Sequence, residues 1–388
     1  MRFCNSIFAT LLKPLNRRQV QAIADRQGGE AYVKKFHTWD HLLALVFAQL
    51  SGATSTRALE SAWNANANHH YHLGTGDLAR STLQDANRSR PAAVFSEIFN
   101  GLSGLADRAF RQEGKEVIRL IDSSPIPLGK MAKFATWNGR IRGMKMHTVY
   151  DPIQDRPTRV EVSLATVNDS EIGRKTPIEA GATYVFDKGY CHYGWWTQMH
   201  DADAWFVTRP KSNVKFRLIE TRPLADGRGE GFTVLRDCEV AFASKGDSKL
   251  AMKLRRIDIQ RDEGGRLAVI TNDMTRSAVE IAALYKARWQ IELLFRWIKQ
   301  HLKIRKFLGD NENAVKLQTI AAMIAYLLLR LAAKANSIKL TPIRFAELVQ
   351  AAIFQRKPLA GIDRPPPVNP SKRQTPCLGQ GAFQFADA

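Results

Sequence analysis

One stretch limits what this chain can fold into more than any other: Tyr285-Lys-Ala-Arg288-Trp289-Gln-Ile-Glu292-Leu-Leu-Phe-Arg-Trp-Ile-Lys299. It reads as part of a single long helix. Ser277, followed three residues later by Glu280, makes a capping box that marks the start of that helix. With Tyr285 at zero on a wheel of ~100° per residue, Arg288, Glu292 and Lys299 fall at about 300°, 340° and 320°. The four polar groups therefore share an arc of about 60°. Leu284, Ala287, Ile291, Leu294, Phe295, Ile298 and Leu302 fill the adjoining sector from about 180° to 280°. A solvated face with a Glu292–Arg288 pair would show the same spacing and contribute only about 0.2–0.5 kcal/mol. Two features favour a functional face instead: the polar arc borders the apolar one directly, as at a cleft edge, and two acids upstream stand at strand ends.

Length and charge narrow the class. The chain has 388 residues, enough for two or three domains, a net charge of +20 and a pI of about 10.0. Such a surface calls for a polyanionic partner, nucleic acid first. No long amphipathic basic helix points to a membrane surface. The four cysteines, Cys4, Cys191, Cys238 and Cys377, include no C-x-x-C pair, so neither zinc nor a disulfide framework is expected and a cytoplasmic setting fits. Lys13 and Pro14 interrupt the apolar N-terminus, which argues against a secretory signal. The apolar run Ile320 to Ala333 is 14 residues long and contains Arg330. It falls short of the ~20 residues that span a bilayer and reads as a core helix.

Residues 1 to about 105 read as helices, among them Trp39 to Leu50, which stops at Ser51-Gly52, and Arg80 to Gln84 leading to Pro91. Exposed Ser, Thr, Gln, Asn and Arg at short helix starts fit either a helix-turn-helix reader or a plain bundle. His69, His70 and His72 lack an acid or cysteine in register and read as loop histidines rather than metal ligands. From Glu116 the texture changes. Val117 to Ile121 reads as a strand ending in Asp122, and Thr183 to Phe186 as another ending in Asp187. Lys145 to Tyr150 and Thr158 to Ala165 make a hairpin, with Asp151 and Asp155 as turn residues. Ala204 to Thr208 is a third strand of the same layer, and the alternation with helices indicates an α/β core. From about 210 to 273, short strands over Val214 to Glu220, Gly231 to Leu235, Cys238 to Ala243, Lys249 to Ile259 and Arg266 to Asn272 suggest an all-β insertion. A basic segment through Lys303, Arg305 and Lys306, an apolar helix near Asn313 to Lys334, and a flexible, basic, Pro-rich tail from 351 to 388 complete the chain.

Asp122, Asp187 and Glu292 are hard oxygen ligands, suited to Mg²⁺ or Mn²⁺ rather than zinc. Three such groups can hold two ions about 3.5–4 Å apart for in-line displacement at phosphorus. On this reading Arg288 and Lys299 reach phosphate oxygens and Tyr285 donates its hydroxyl to the same backbone. At least one of Trp289, Trp195 and Trp196 stacks a displaced base, whereas Trp297 packs in the core. His147 is a packing residue more often than a substrate contact.

The spacing Tyr-x2-Arg-x3-Glu-x6-Lys, met by Tyr285, Arg288, Glu292 and Lys299, resembles the Y-R-E-K signature of insertion-sequence DDE transposases of the family-four type. Ile121-Asp122-Ser resembles that family's first acidic motif, and Phe186-Asp187-Lys188-Gly189-Tyr190 its second. The β-rich stretch between Asp187 and Glu292 agrees with the family's β insertion, and the resemblance covers roughly residues 1 to 350. It implies a ribonuclease-H-like α/β catalytic core over 106–350, interrupted by the β insertion, with a helical DNA-binding region over 1–105 and helical C-terminal flanks. It implies hydrolysis at the element's ends, then attack of the freed 3′-hydroxyl on target DNA, with at least a homodimer when two ends are synapsed. Two other readings fit the same residues. A stand-alone metal-dependent endonuclease would cut without joining, and a non-catalytic DNA-binding protein would bind without cutting.

Overall fold

The computed structural model describes residues 5–110, 115–129, 132–224, 226–243, 252–302 and 307–364. Seven helices come first: α1 (Ile7–Leu11), α2 (Arg17–Arg26), α3 (Thr38–Ser51), α4 (Thr56–Asn64), α5 (His70–Leu73), α6 (Arg80–Ser89) and α7 (Ala92–Phe110). Helix α3 is buried all round from Thr38 to Leu50 and stops where Gly52 takes φ +73°. The histidine run is helical rather than a loop. His70 is buried, stacks on Trp63 at 5.0 Å and meets its carbonyl oxygen at 3.2 Å.

The sheet segment follows: β1 (Val117–Pro127), β2 (Gly143–Asp151), β3 (Arg156–Leu164), α8 (Asp169–Gly173), β4 (Ala182–Phe186), α9 (Tyr193–Asp201), β5 (Trp205–Thr208), β6 (Phe216–Thr221), β7 (Arg228–Gly229), β8 (Phe232–Phe242), β9 (Leu254–Arg261) and β10 (Arg266–Thr271). The last helices are α10 (Ala278–Ala287), α11 (Trp289–His301), α12 (Glu312–Ala335) and α13 (Pro342–Ala352). Asp151 shapes the β2–β3 turn by accepting the Ile153 and Gln154 N–H groups, and Asp155 takes φ +48°. The two strands expected over 231–243 are one, β8, which carries an irregularity between Val234 and Arg236. The expected strand start at Lys249 lies outside the described residues.

All ten strands belong to one mixed sheet of order β3-β2-β1-β4-β5-β10-β9-β8-β6, with β7 beside β8. Strands β1, β4 and β5 run parallel, and both flanks are antiparallel. The β-rich stretch thus continues the core sheet through the β5–β10 pairing. Among its described residues it contains no helix. Alternation sorts the side chains. Leu120, Val185 and Val207 face the main core with the helices of both chain ends, whereas Ile121, Tyr184, Phe186 and Phe206 face a second core with Trp195 and Trp196.

Helix α12 runs through the main core against α3, α7 and β3. It is the described helix long and apolar enough to cross a membrane unbroken, and 83% of its most apolar window is buried inside the protein. Residues 353–364 also pack, with Leu359 and Ile362 buried. The remainder of the expected tail lies outside the described residues.

The central stretch corrects the expectation of one long helix. Its capping box is present: Ser277 Oγ accepts the Glu280 N–H at 3.2 Å, and Glu280 Oε2 accepts the Ser277 N–H at 2.7 Å. The ladder then breaks at Arg288. The Arg288 N–H bonds to the Tyr285 carbonyl three residues back, and the Ile291 N–H to that of Arg288, so the chain tightens locally before α11 resumes.

Candidate active site

Strand register brings the first two acids together. The parallel pairing of β1 with β4 ends at Ile121 opposite Phe186. Asp122 and Asp187 are the next residue on each strand, and neighbouring strands lie about 4.8 Å apart. Asp122 is not at the end of its strand as expected, because β1 continues to Pro127 paired with β2. It stands where parallel pairing stops, on the face of Leu120. Asp187 follows Val185 in the same alternation and opens the tight turn Lys188–Tyr190.

Helices α10 and α11 cover that face and deliver the third acid. Arg288, at their junction, sits between two carboxylates: Nη1 donates to Asp122 Oδ2 at 2.8 Å and Nη2 to Glu292 Oε1 at 2.7 Å. One turn earlier, the Tyr285 hydroxyl donates to Asp187 Oδ1 at 3.2 Å. Lys299 lines the same open groove of about 410 Å³ with Asp122, Glu292, Ser123, Ser124 and Arg296. The helix break aims this constellation, because a tighter turn at Arg288 feeds its side chain inward between the acids.

The electrostatics agree with convergence. Burial pushes the Asp122 carboxyl up to about 6; Glu292 and Asp187 add to the rise, against the pull of Arg288 and of the Ser123 N–H. Burial also pushes the Tyr285 hydroxyl up to about 12, with Asp187 next in effect. For Arg288, burial alone would weaken the charge, but Asp122, Tyr285 and Glu292 more than offset it and hold the guanidinium protonated. The site thus carries more negative charge than one arginine compensates.

The donor set suits a hard divalent cation. Among the described residues no group of three His, Cys, Asp or Glu side chains is arranged to hold a metal ion, and the Arg288 guanidinium stands between Asp122 and Glu292. A cation binding at these acids would compete with Arg288 for Asp122 Oδ2 and Glu292 Oε1.

The tryptophans divide. Trp195 and Trp196 are 0% and 1% exposed and stack on Phe186 and Phe206, so they are core residues and present no surface for a base. Trp289 is 50% exposed, with the Arg296 guanidinium 5.5 Å from its ring centre. Trp297 is buried edge-on against Tyr326. His147 is buried between Tyr190 and Ser163. Ser123, Ser124 and Arg296 were not anticipated as groove residues; for Arg296, its i+4 spacing from Glu292 was the available signal. Lys303, Arg305 and Lys306 lie outside the described residues.

Residues 113–328 match a family model described as the transposase DDE domain, and residues 3–76 match a domain of unknown function, DUF4372. A putative transposase, y4zB, of Sinorhizobium fredii is 58% identical over 295 residues, covering 76% of this chain and 83% of that protein. A probable transposase for insertion sequence element IS5377 of Geobacillus stearothermophilus is 32% identical, covering 55% of this chain and 56% of its own. A putative transposase for IS4SA of a Synechocystis strain is 26% identical, covering 65% and 71%. With the DDE model spanning more than half of its length, the chain belongs to the DDE transposase family and is a DNA transposase.

Proposed function

We propose that Asp122, Asp187 and Glu292 are the catalytic acids, and that they hold two Mg²⁺ or Mn²⁺ ions. The observation that carries this reading is the convergence of three carboxylates, from β1, the end of β4 and the first turn of α11, with Arg288 between Asp122 and Glu292 and the Tyr285 hydroxyl on Asp187. When bound, the metal would activate the attacking oxygen and stabilise the leaving one. The chain's own groups do the rest. Arg288, released from Asp122 and Glu292, binds a phosphate oxygen next to the scissile bond. Lys299 contacts the backbone along the groove. Tyr285 fixes Asp187 through its hydroxyl and holds that carboxylate's outer face towards the substrate. Trp289, exposed at the start of α11, stacks a base displaced at the cut.

The reaction is cleavage at the ends of an insertion sequence, followed by attack of the freed 3′-hydroxyl on target DNA. The spacing of Tyr285, Arg288, Glu292 and Lys299 supports a family-four enzyme. An antiparallel three-strand meander leading into two parallel strands supports a ribonuclease-H-like core with a β insertion. Two ends must be held together, so the working assembly is at least a homodimer. The helical region over 1–105 contacts DNA, with Gln84 and Arg88 exposed on α6.

The test is cleavage of a supercoiled plasmid carrying the element's own ends, by the intact protein and by Glu292→Gln. Mg²⁺-dependent cutting at the ends that disappears in the variant while DNA binding persists is expected. Equal cutting by both would remove Glu292 from the chemistry. Cutting without joining to a target would make the enzyme an endonuclease.

A further inference from the structure

Strand β1 does more than carry Asp122. It runs on to Pro127, leaves the sheet, and returns as β2 at Gly143. The root of this excursion is tight: a Cβ on Gly143 would lie 2.1 Å from the Ile126 carbonyl oxygen. The connecting residues 128–142 contain no Asp or Glu. Their described part includes Lys133, Arg140 and Arg142, and neither Lys133 nor Arg140 has a carboxylate partner among the described residues.

The outer part is a built structure. Asn138 Oδ1 accepts the Arg140 and Ile141 N–H groups at 3.1 and 3.0 Å. Its Nδ2 donates to the Ala165 carbonyl at 2.9 Å, tying the tip to the end of β3. Gly139 takes φ +90°, Trp137 bridges to Arg142, and Arg142 Nε donates to the Ala135 carbonyl at 2.9 Å. Phe134 packs on the main core and Ala135 is buried. Yet residues 136–140 are exposed, and Trp137 is 64% exposed. A tryptophan normally contributes by burying 150–250 Å². Here an ordered turn holds it exposed, in a segment whose Lys133 and Arg140 have no carboxylate partner among the described residues.

We propose that residues 132–142 form a DNA-binding finger. Lys133 and Arg140 contact phosphates, and the Trp137 indole lies against the sugar and base of the same strand. An exposed aromatic face in the same short segment as cations that have no carboxylate partner among the described residues, with no acid in the segment, matches the chemistry of a nucleic-acid strand. The proposal rests on the reading of the chain as a DNA transposase acting at Asp122. Leu128, at the root of the finger, is six positions on from Asp122, about 20 Å of extended strand. At 3.4 Å per base pair, the finger meets DNA roughly 6 bp from the scissile phosphate.

The experiment uses the full chain carrying Glu292→Gln, so that binding to duplex element ends is read without cleavage. Failure of the acid site would appear as plasmid cutting by that variant. Failure of the finger would appear only in the binding data. In that background, Lys133→Ala with Arg140→Ala should lower the slope of log K against log salt by about 2, since each phosphate contact contributes about 0.9. Trp137→Ala should weaken binding roughly tenfold with the slope unchanged, Trp137→Phe should recover part of the loss, and hydroxyl-radical protection should vanish about 6 bp from the cut. The thermal midpoint should not move. Unchanged slope and footprint would overturn the proposal. Intact DNA binding with an altered oligomeric state would overturn it too, assigning the finger to a protein contact.

Discussion

Arg255 ties the outer sheet to the turn before α10, and its removal gives a quantitative test of that link. Its side chain is 2% exposed and that of Asp237 is 3% exposed. Nε and Nη2 bind the two carboxylate oxygens at 2.8 and 2.6 Å, and Nη1 donates to the carbonyls of Asp273 and Arg276 at 3.2 and 2.6 Å. Those carbonyls belong to the turn that opens α10. In Arg255→Met the Asp237 carboxylate keeps only Arg222, 3.8 Å away, and two carbonyls lose their donor. Breaking a buried pair from one side costs about 3–5 kcal/mol. Removing both charges with Asp237→Leu and Arg255→Met leaves only the orphaned carbonyls, at about 1–3 kcal/mol. The double variant should therefore be more stable than the single one, with a coupling of about 2 kcal/mol or more. Urea unfolding followed by circular dichroism at pH 7 measures all four corners of the cycle. A loss below about 1 kcal/mol in Arg255→Met, or a double variant weaker than the single, would refute the assignment of a buried, mutually dependent pair.

Other expectations follow from the same geometry. Arg288→Met should abolish cleavage, yet raise Mn²⁺ affinity in the absence of DNA by roughly tenfold, equivalent to ~1.4 kcal/mol, because the guanidinium no longer occupies Asp122 and Glu292; electron paramagnetic resonance titration reads this, and weaker binding would count against it. Tyr285→Phe should cost about 0.5–1.5 kcal/mol of stability through the lost bond to Asp187, measured by urea unfolding. His41 is fully buried, and burial holds its imidazole down at about 3. The unfolded chain takes up that proton near 6.5 while the folded one does not, so stability present above pH 6.5 is lost as pH falls towards 3, by about 1.4 kcal/mol per pH unit within that window. His41→Gln should flatten the decline, read as thermal midpoint against pH. Gly143→Ala should destabilise the β1–β2 root by several kcal/mol, since the added carbon meets backbone rather than a movable side chain, and a near-neutral unfolding curve would contradict the close approach.

Local chemistry made much of this legible in the sequence. The capping box at Ser277, the apolar run of α12 and the turn acids of the β2–β3 hairpin act over a few residues and appear as expected. The resemblance of three separated motifs led to the acids, and the register of β1 against β4 supplies the physical reason why two of them meet. The break at Arg288 escaped a wheel drawn at a constant ~100° per residue, because no Pro or Gly marks it in the sequence. Trp195 and Trp196 show the same limit. Their position after Asp187 suggested substrate contact, but α9 turns both onto the far face of the sheet, against Phe186 and Phe206. Nor could charge alone reveal the continuous sheet, since β5 and β10 pair across nearly sixty intervening residues.

The junction at Arg288 has a mechanical consequence. Helix α10 is clamped at its start, and α11 lies along β1, so any relative movement of the two is taken up at a single pivot. Glu292 is four residues past that pivot, about 6 Å along the axis. A swing of about 10° therefore shifts it by about 1 Å, a displacement that can change a catalytic rate by a factor on the order of a hundred. If Glu292 is the catalytic acid as proposed, a lever arm this short would convert a slight settling of DNA on α11 into the difference between an idle and an aligned acid.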